Sequence, residues 1–261
     1  MEAVSTPAGR VYVDDDSRFR APSVTSVIAA VWPSEPLDRW RMRNVARRAV
    51  ENAPQLRRRL KRLAERDGPF REMAARRLAD LLWEWRDDSA AADRGTRIHA
   101  VFEGLVTGAV EACDVTGPPD EAASALRAAD AVDAAGLEIV WAEATLSGTD
   151  PRPFAGTADL IARDAQGRLC VIDLKTGRRF SRTAIPQLGA YSLADTVWPT
   201  PDTAAEVPDG GFERALVLLA HPGSHQWYEI SLDDARSVWR ACSSLHYMSG
   251  ASRGARKRDA V

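Results

Sequence analysis

The chain has 261 residues, 45% hydrophobic and 28% charged, with a formal net charge of −2. That length and composition fit a soluble globular protein with one large domain, or a catalytic domain carrying an added helical part. No run approaches the roughly 20 apolar residues of a membrane span, and the first twenty residues lack the apolar core of a secretory signal. Cys113, Cys170 and Cys242 lie far apart with no C-x-x-C spacing, which argues against a zinc ribbon, an iron–sulfur cluster or a disulfide scaffold. A reduced, cytoplasmic protein is expected, and any basic surface has to be local.

In chain order, the first twenty residues are polar and read as irregular, with a short strand at Val11 to Val13. PSVTSVIAAVWP reads as a short helix with Ser23 or Thr25 near its cap. From Leu37 the sequence turns helical and basic: between Arg39 and Arg66 the only acids are Glu51 and Glu65. FREMAARRLADLLWEWRDD follows with apolar residues at helical spacing, then a helix from about Ala90 to Ala112. PPDEAASALRAADAVDAAG has Pro at its start and Gly136 just past its end, the punctuation of another helix. The N-terminal half is thus expected to be all helix.

At Leu137 the pattern changes. LEIVWAEATL, FAGTADLIAR and RLCVIDLK are strand-like runs separated by turn residues. RTAIPQLGAYSLADTVW reads as a helix with Pro186 in its first turn, and PTPDTAAEVPDGG as a loop. RALVLLAHPGSHQWYEI reads as a second hairpin. SLDDARSVWRACSSLHYM closes the fold as a helix capped by Ser231. The expected divisions are a helical region at 1–87, a mixed α/β core at 88–248, and a flexible basic tail at 249–261.

The hairpin AGTADLIARDAQGRLCVIDLKTG carries the strongest signal. It places Asp159, Asp173 and Lys175 at the ends of two apolar strands, where charged groups are expensive unless paired or coordinating something. A turn at Asp164 to Gly167 sets Asp159 opposite Ile172; a one-residue change of loop length sets it opposite Asp173. Strand alternation puts Asp173 and Lys175 on the face of Leu169 and Val171, with Cys170, Ile172 and Leu174 on the other. Two carboxylates so close repel unless a cation joins them, and a hard divalent ion takes carboxylate oxygens. A neighbouring ammonium then suits attack of water on a phosphodiester, by stabilising charge and by orienting or deprotonating the water. The ordinary alternative is an exposed ion pair at a hairpin edge, worth little.

Four segments in order resemble the PD-(D/E)XK nuclease superfamily, in particular its RecB-type, phage exonuclease-like branch. They are RGTRIHAVFEG (Arg94 to Gly104), GTAD (Gly156 to Asp159), DLKTG (Asp173 to Gly177) and QLGAY (Gln187 to Tyr191), and PSVTSVIAAV is similar to the start of many phage-encoded members. The resemblance spans roughly residues 22 to 230. It implies a restriction-endonuclease-like mixed central sheet flanked by helices. It also implies Asp159 and Asp173 as acidic metal ligands joined by the carbonyl of Leu174, Lys175 as the catalytic lysine, and His99 as a nitrogen ligand. Gln187 and Tyr191, one helical turn apart, would support the lysine or touch the DNA backbone.

The implied activity is a Mg²⁺- or Mn²⁺-dependent deoxyribonuclease, an exonuclease acting in recombination or repair beside a recombinase, annealing protein or helicase. The alternatives are a structure-specific endonuclease and a non-cleaving nucleic-acid-binding module of the same fold. Several RecB-type members hold an iron–sulfur cluster through four cysteines; with three scattered cysteines none is expected here, and no G-x-x-x-x-G-K-[ST] helicase motif occurs. Glu103, on the His99 face, could reach the metal through water or cap a polar edge. Glu143 is a candidate outer carboxylate. Gly156 suits a close backbone approach or a bulge. The basic helices from Arg39 to Arg66 could track phosphates, and Trp83 or Trp85 could stack on a base; a solvated face and core packing are the plain alternatives.

Overall fold

The computed structural model describes residues 1–6, 9–15, 18–32, 35–65, 69–84 and 89–253. The chain opens with strands β1 (Glu2–Thr6), β2 (Gly9–Asp14) and β3 (Phe19–Pro22), then helix α1 (Val24–Val31). Helices α2 (Glu35–Glu51), α3 (Ala53–Ala64), α4 (Pro69–Glu84), α5 (Ser89–Val106) and α6 (Pro119–Ala134) follow. Next come β4 (Glu138–Gly148), β5 (Phe154–Arg163), β6 (Leu169–Lys175) and α7 (Ala184–Tyr191). Strands β7 (Thr196–Thr200), β8 (Thr203–Glu206), β9 (Arg214–His221) and β10 (Ser224–Ile230) lead into α8 (Leu232–Arg253).

The chain separates into two compact units, one joining Met1–Trp32 to the chain from Gly95 onward, the other covering Pro33–Arg94. The sequence-based division at residue 87 differs, because it groups residues 1–32 with the basic helices. Those residues are not irregular, and the N-terminal half is not all helix: β1, β2 and β3 form an antiparallel sheet. Tyr12 and Ala21 are buried while β1 is mostly exposed. A sheet wetted on one side reads as polar text with a thin apolar alternation, which here shows only at Val11 to Val13.

The main sheet has seven strands in the order β10-β9-β6-β5-β4-β7-β8, with β6 and β9 parallel and the other pairs antiparallel. One face packs on α1, α7 and α8 through Val24, Val27, Leu188, Tyr191 and Trp239, with Leu169 and Val171 of β6. The other packs on α5 and α6 through Ile98, Phe102, Ala128 and Val132, with Cys170, Ile172 and Leu174. Strand β6 therefore alternates between two cores as its sequence requires, and each fully buried aliphatic side chain contributes about 1.5–3 kcal/mol.

Several boundaries move. Helix α7 ends at Tyr191, and Thr-Val-Trp of the expected helix becomes β7, paired with β4; Asp195 N–H donates to the Ser147 carbonyl at 2.9 Å. The expected loop after it contains β8, paired with β7. Helix α5 stops at Val106 rather than near Ala112, and Gly108 adopts φ +72°. Trp85 and residues 254–261 of the tail lie outside the described residues.

The β5–β6 loop decides the register. Arg163 pairs with Leu169 and Leu160 with Ile172, so one step further Asp159 stands opposite Asp173. The longer loop is tied by Asp164, whose Oδ1 accepts from the N–H groups of Gln166 and Arg168 at 3.0 Å each and whose Oδ2 accepts from Arg168 Nε at 2.9 Å. Burial would raise the Asp164 pKa, but these donors and Arg214 hold it at about 2.

Helices α7 and α8 cross at Gly189, where a Cβ would collide with the backbone of Ala235. The close approach fixes α7 over the sheet. Gly189→Ala is expected to lower stability by about 1–3 kcal/mol, the range for overpacking a tight contact. Urea unfolding checks it; an unchanged midpoint would show that the helices can part freely.

Candidate active site

Three adjacent strands bring carboxylates into one row. Asp159 of β5 stands opposite Asp173 of β6 on one side. On the other, Glu143 of β4 falls between the pairs Ala142–Leu160 and Ala144–Ala158, opposite Asp159. Glu143 has φ +48°, the left-handed region that a non-glycine residue rarely adopts. Such backbone costs of order 1–3 kcal/mol and persists only where its surroundings hold it.

The row lies where the β5–β6 ladder ends. Beyond the Leu160–Ile172 pair, the Leu174 N–H donates to Asp159 Oδ2 at 2.5 Å, so a side chain satisfies the donor that a ladder partner would have taken. Asp159 Oδ1 meets His99 Nδ1 at 3.0 Å, and that nitrogen lies 3.9 Å from Glu143 Oε1. His99 is set by its helix: Ile98 and Phe102 are buried beneath it, and anchor α5 to the sheet. His99, Glu143 and Asp159 each offer one ligand atom, all within 4.8 Å of one another.

Asp173 stands outside that group and turns to Lys175. Its Oδ1 accepts from Lys175 Nζ at 2.8 Å, whereas Oδ2 is buried without a hydrogen-bond partner among the described residues. The lysine also donates to Gln187 Oε1 at 3.4 Å. From there Gln187 Nε2 donates to the Tyr191 hydroxyl at 3.3 Å, and that hydroxyl donates to the Thr157 carbonyl at 2.8 Å. Tyr191 is buried, with its ring against Gly156, where a Cβ would come within 2.8 Å of Cε1. The glycine of GTAD thus serves close approach, and Tyr191 braces Gln187 from below rather than facing solvent. Tyr12 of β2 adds to the brace, its hydroxyl 3.1 Å from Thr157 Oγ1.

The electrostatics follow from crowding. Burial, then Asp159, pushes Glu143 up to about 7, with His99 pulling it back and Glu103 adding to the rise. Burial also pushes the Asp173 carboxyl up, opposed by Lys175. For Lys175 burial would favour the neutral amine, but Asp173 and Asp159 outweigh it and keep the ammonium protonated. Carboxylates and an imidazole nitrogen are the donor set of a divalent cation. The unpartnered, buried Asp173 oxygen also fits one, since an orphaned acceptor is costly.

The residues that the resemblance assigns to the site lie in or against this cluster: His99, Asp159, Asp173, Leu174, Lys175, Gln187 and Tyr191. Glu143 was legible as an acid near the site but not as a strained one opposite Asp159. Tyr12 and Thr157 were missed, for their hydroxyls are connected only by tertiary packing.

Burial alone would lower the His99 pKa, but the hydrogen bond and charge of Asp159, with Glu143, raise it above 6.5. In metal-free protein His99 is expected to titrate above that value by NMR, and Asp159→Asn to bring it down. A raised folded pKa means that this contact stabilises fully below the unfolded value, and its contribution is lost as pH rises through the folded one. An unmoved titration in Asp159→Asn would show that the contact carries no charge.

Among known proteins, a search of curated sequences gave no match. The family model of the PD-(D/E)XK nuclease superfamily matches residues 11–196, a span that begins in β2 and holds His99, the three-strand row, Lys175 and the Gln187–Tyr191 helix. That match covers most of the chain, and its nucleases use divalent metals. With a mixed seven-stranded sheet flanked by helices, the chain belongs to the PD-(D/E)XK nuclease superfamily.

Proposed function

We propose that the protein is a Mg²⁺- or Mn²⁺-dependent deoxyribonuclease of the RecB-type branch, acting as an exonuclease on DNA in recombination or repair. The observation that carries the reading is the pairing of buried Asp173 with half-buried Lys175, next to Asp159 and His99, with one Asp173 oxygen left unpartnered among the described residues. His99, Asp159 and Asp173 would hold the ion with the Leu174 carbonyl, and Glu143 is close enough to join them or hold an outer water. When bound, the ion supplies Lewis-acid charge beside the phosphate and lowers the pKa of water.

The remaining work falls to the side chains. Lys175, protonated and fixed between Asp173 and Gln187, stabilises negative charge developing on the phosphate and orients the attacking water. Gln187 holds the ammonium at a defined place, and Tyr191 with Thr157 holds Gln187. Closely placed groups of this kind lower the barrier because they need no reorganisation when charge develops. The partner is DNA, single- or double-stranded, with a recombinase, annealing protein or helicase supplying the ends. Among the described residues no helix is long and apolar enough to cross a membrane; the proposed site of action is the cytoplasm.

Digestion of end-labelled linear, circular and single-stranded DNA with Mg²⁺ or Mn²⁺ tests this. The expected result is metal-dependent degradation of linear DNA, arrested by a chelator, with circles resistant. Lys175→Ala is expected to lower the rate by about 10²-fold or more, and Asp173→Asn, close in shape, to abolish cleavage with the fold retained by circular dichroism. Cleaved circles would make the protein an endonuclease, and no product on any substrate would make it a binding module. Full activity in Lys175→Ala would remove the lysine from the chemistry.

A further inference from the structure

The charge of the chain is unevenly placed. Residues 33–94 carry sixteen Arg and Lys against eleven Asp and Glu, a net +5, so the rest of the chain must carry −7 to reach the overall −2. A nuclease core of that sign repels a polyanion at long range. Attraction for a nucleic-acid strand has to be supplied from the helical unit.

That unit contains a cleft with the matching chemistry. Helices α3 and α4 enclose a space of about 290 Å³ lined by Arg59, Arg62 and Leu63 from one and Ala74, Arg77 and Leu78 from the other. On each helix the three residues fall at i, i+3 and i+4 and share one face. Arg59 and Arg77 have no hydrogen bond or ion pair among the described residues, and Arg62 uses Nε on the Arg58 carbonyl at 3.4 Å. Glu72, the acid one helical turn before Arg76, is taken by it at 3.2 Å. Three arginines line one cleft, and among the described residues none of them pairs with a carboxylate. Arginine forks match phosphate oxygens, and the aliphatic floor of Leu63 and Leu78 suits a sugar. The space holds a nucleotide or so of strand backbone. Trp83, further along α4, is 65% exposed, as in surfaces that stack unpaired bases.

We propose that Arg59, Arg62 and Arg77 form a binding site for the phosphodiester backbone of a single nucleic-acid strand, separate from the metal and lysine cluster. The polyanion is identified through the nuclease reading above; the cleft itself stands on its own geometry.

The test uses full-length protein in chelator, so that nothing is cleaved, and a fluorescein-labelled single-stranded 20-mer read by anisotropy over a range of KCl. R59Q/R62Q/R77Q is expected to weaken binding at least about tenfold at 0.1 M salt and to reduce the slope of log affinity against log salt by about 2, for three phosphates at ~0.7 each. R59K/R62K/R77K is expected to keep most of that slope. Mn²⁺-dependent hydrolysis of bis(p-nitrophenyl) phosphate, a small ester with no strand to hold, should be unchanged in the glutamine variant. Affinity and slope within twofold of the parent protein would overturn the proposal. So would displacement of the 20-mer by millimolar inorganic phosphate at constant ionic strength, which would mark a free-anion site. Loss of DNA binding in the glutamine variant of a protein that degrades no DNA with Mg²⁺ or Mn²⁺ would sustain the cleft and remove the nuclease reading.

Discussion

Everything at the site depends on holding three carboxylates side by side across β4, β5 and β6. Placed at cross-strand distance, Glu143, Asp159 and Asp173 repel one another, and burial adds to the cost of the charge on Glu143 and Asp173. The fold answers with three different partners. Asp173 takes the Lys175 ammonium, Asp159 takes the Leu174 N–H and His99, and Glu143 sits 3.9 Å from the same imidazole with its carboxyl pushed up to about 7. The row is therefore only partly neutralised by the protein itself. An apolar replacement would pack such a place better; the residual negative charge and the orphaned Asp173 oxygen make sense as the preparation for a cation.

The carboxylates need a splayed ladder, and that explains the hairpin. If β5 and β6 stayed paired to their ends, the Leu174 N–H would be spent on backbone and Asp159 would have no place between the strands. The five-residue loop tied by Asp164 sets the register that makes Asp159 face Asp173. A loop one residue shorter would set Asp159 opposite Ile172, on the wrong side of the strand. An acid far from the chemistry thereby fixes the geometry of the acids within it.

Much of this was legible in the sequence because it is local. Alternation within β6 assigned Asp173 and Lys175 to one face, and the order of His99, Asp159, Lys175 and Gln187 carried the resemblance. The register was legible only as two alternatives, since loop length is settled by the hydrogen bonds of Asp164 rather than by residue type. What the sequence hid is of a different kind. The strands β1 to β3 are half wetted, so their apolar period is thin. β7 follows a helix so closely that Thr196 to Trp198 read as its continuation. The strain at Glu143 leaves no trace in composition, because glutamate is an unremarkable residue until its φ is known. The Tyr12–Thr157 contact joins positions 145 residues apart.

The brace beneath the lysine ties the N-terminal strands to the site. Lys175 has a flexible four-carbon stem, and its placement by Asp173 alone would leave the ammonium free to swing about one contact. Gln187 supplies a second, and its own direction is fixed because Tyr191 is buried, hydrogen-bonded to β5 and packed on Gly156. Thr157 in turn is held from the far side by Tyr12. The sheet that looks like an irregular leader in the sequence thus stands at the end of a chain of contacts running from Tyr12 through Thr157, Tyr191 and Gln187 to Lys175. The position of the ammonium thus depends on residues from β2, β5 and α7, and the family match, beginning at residue 11, takes in β2 as well as the motifs of the site.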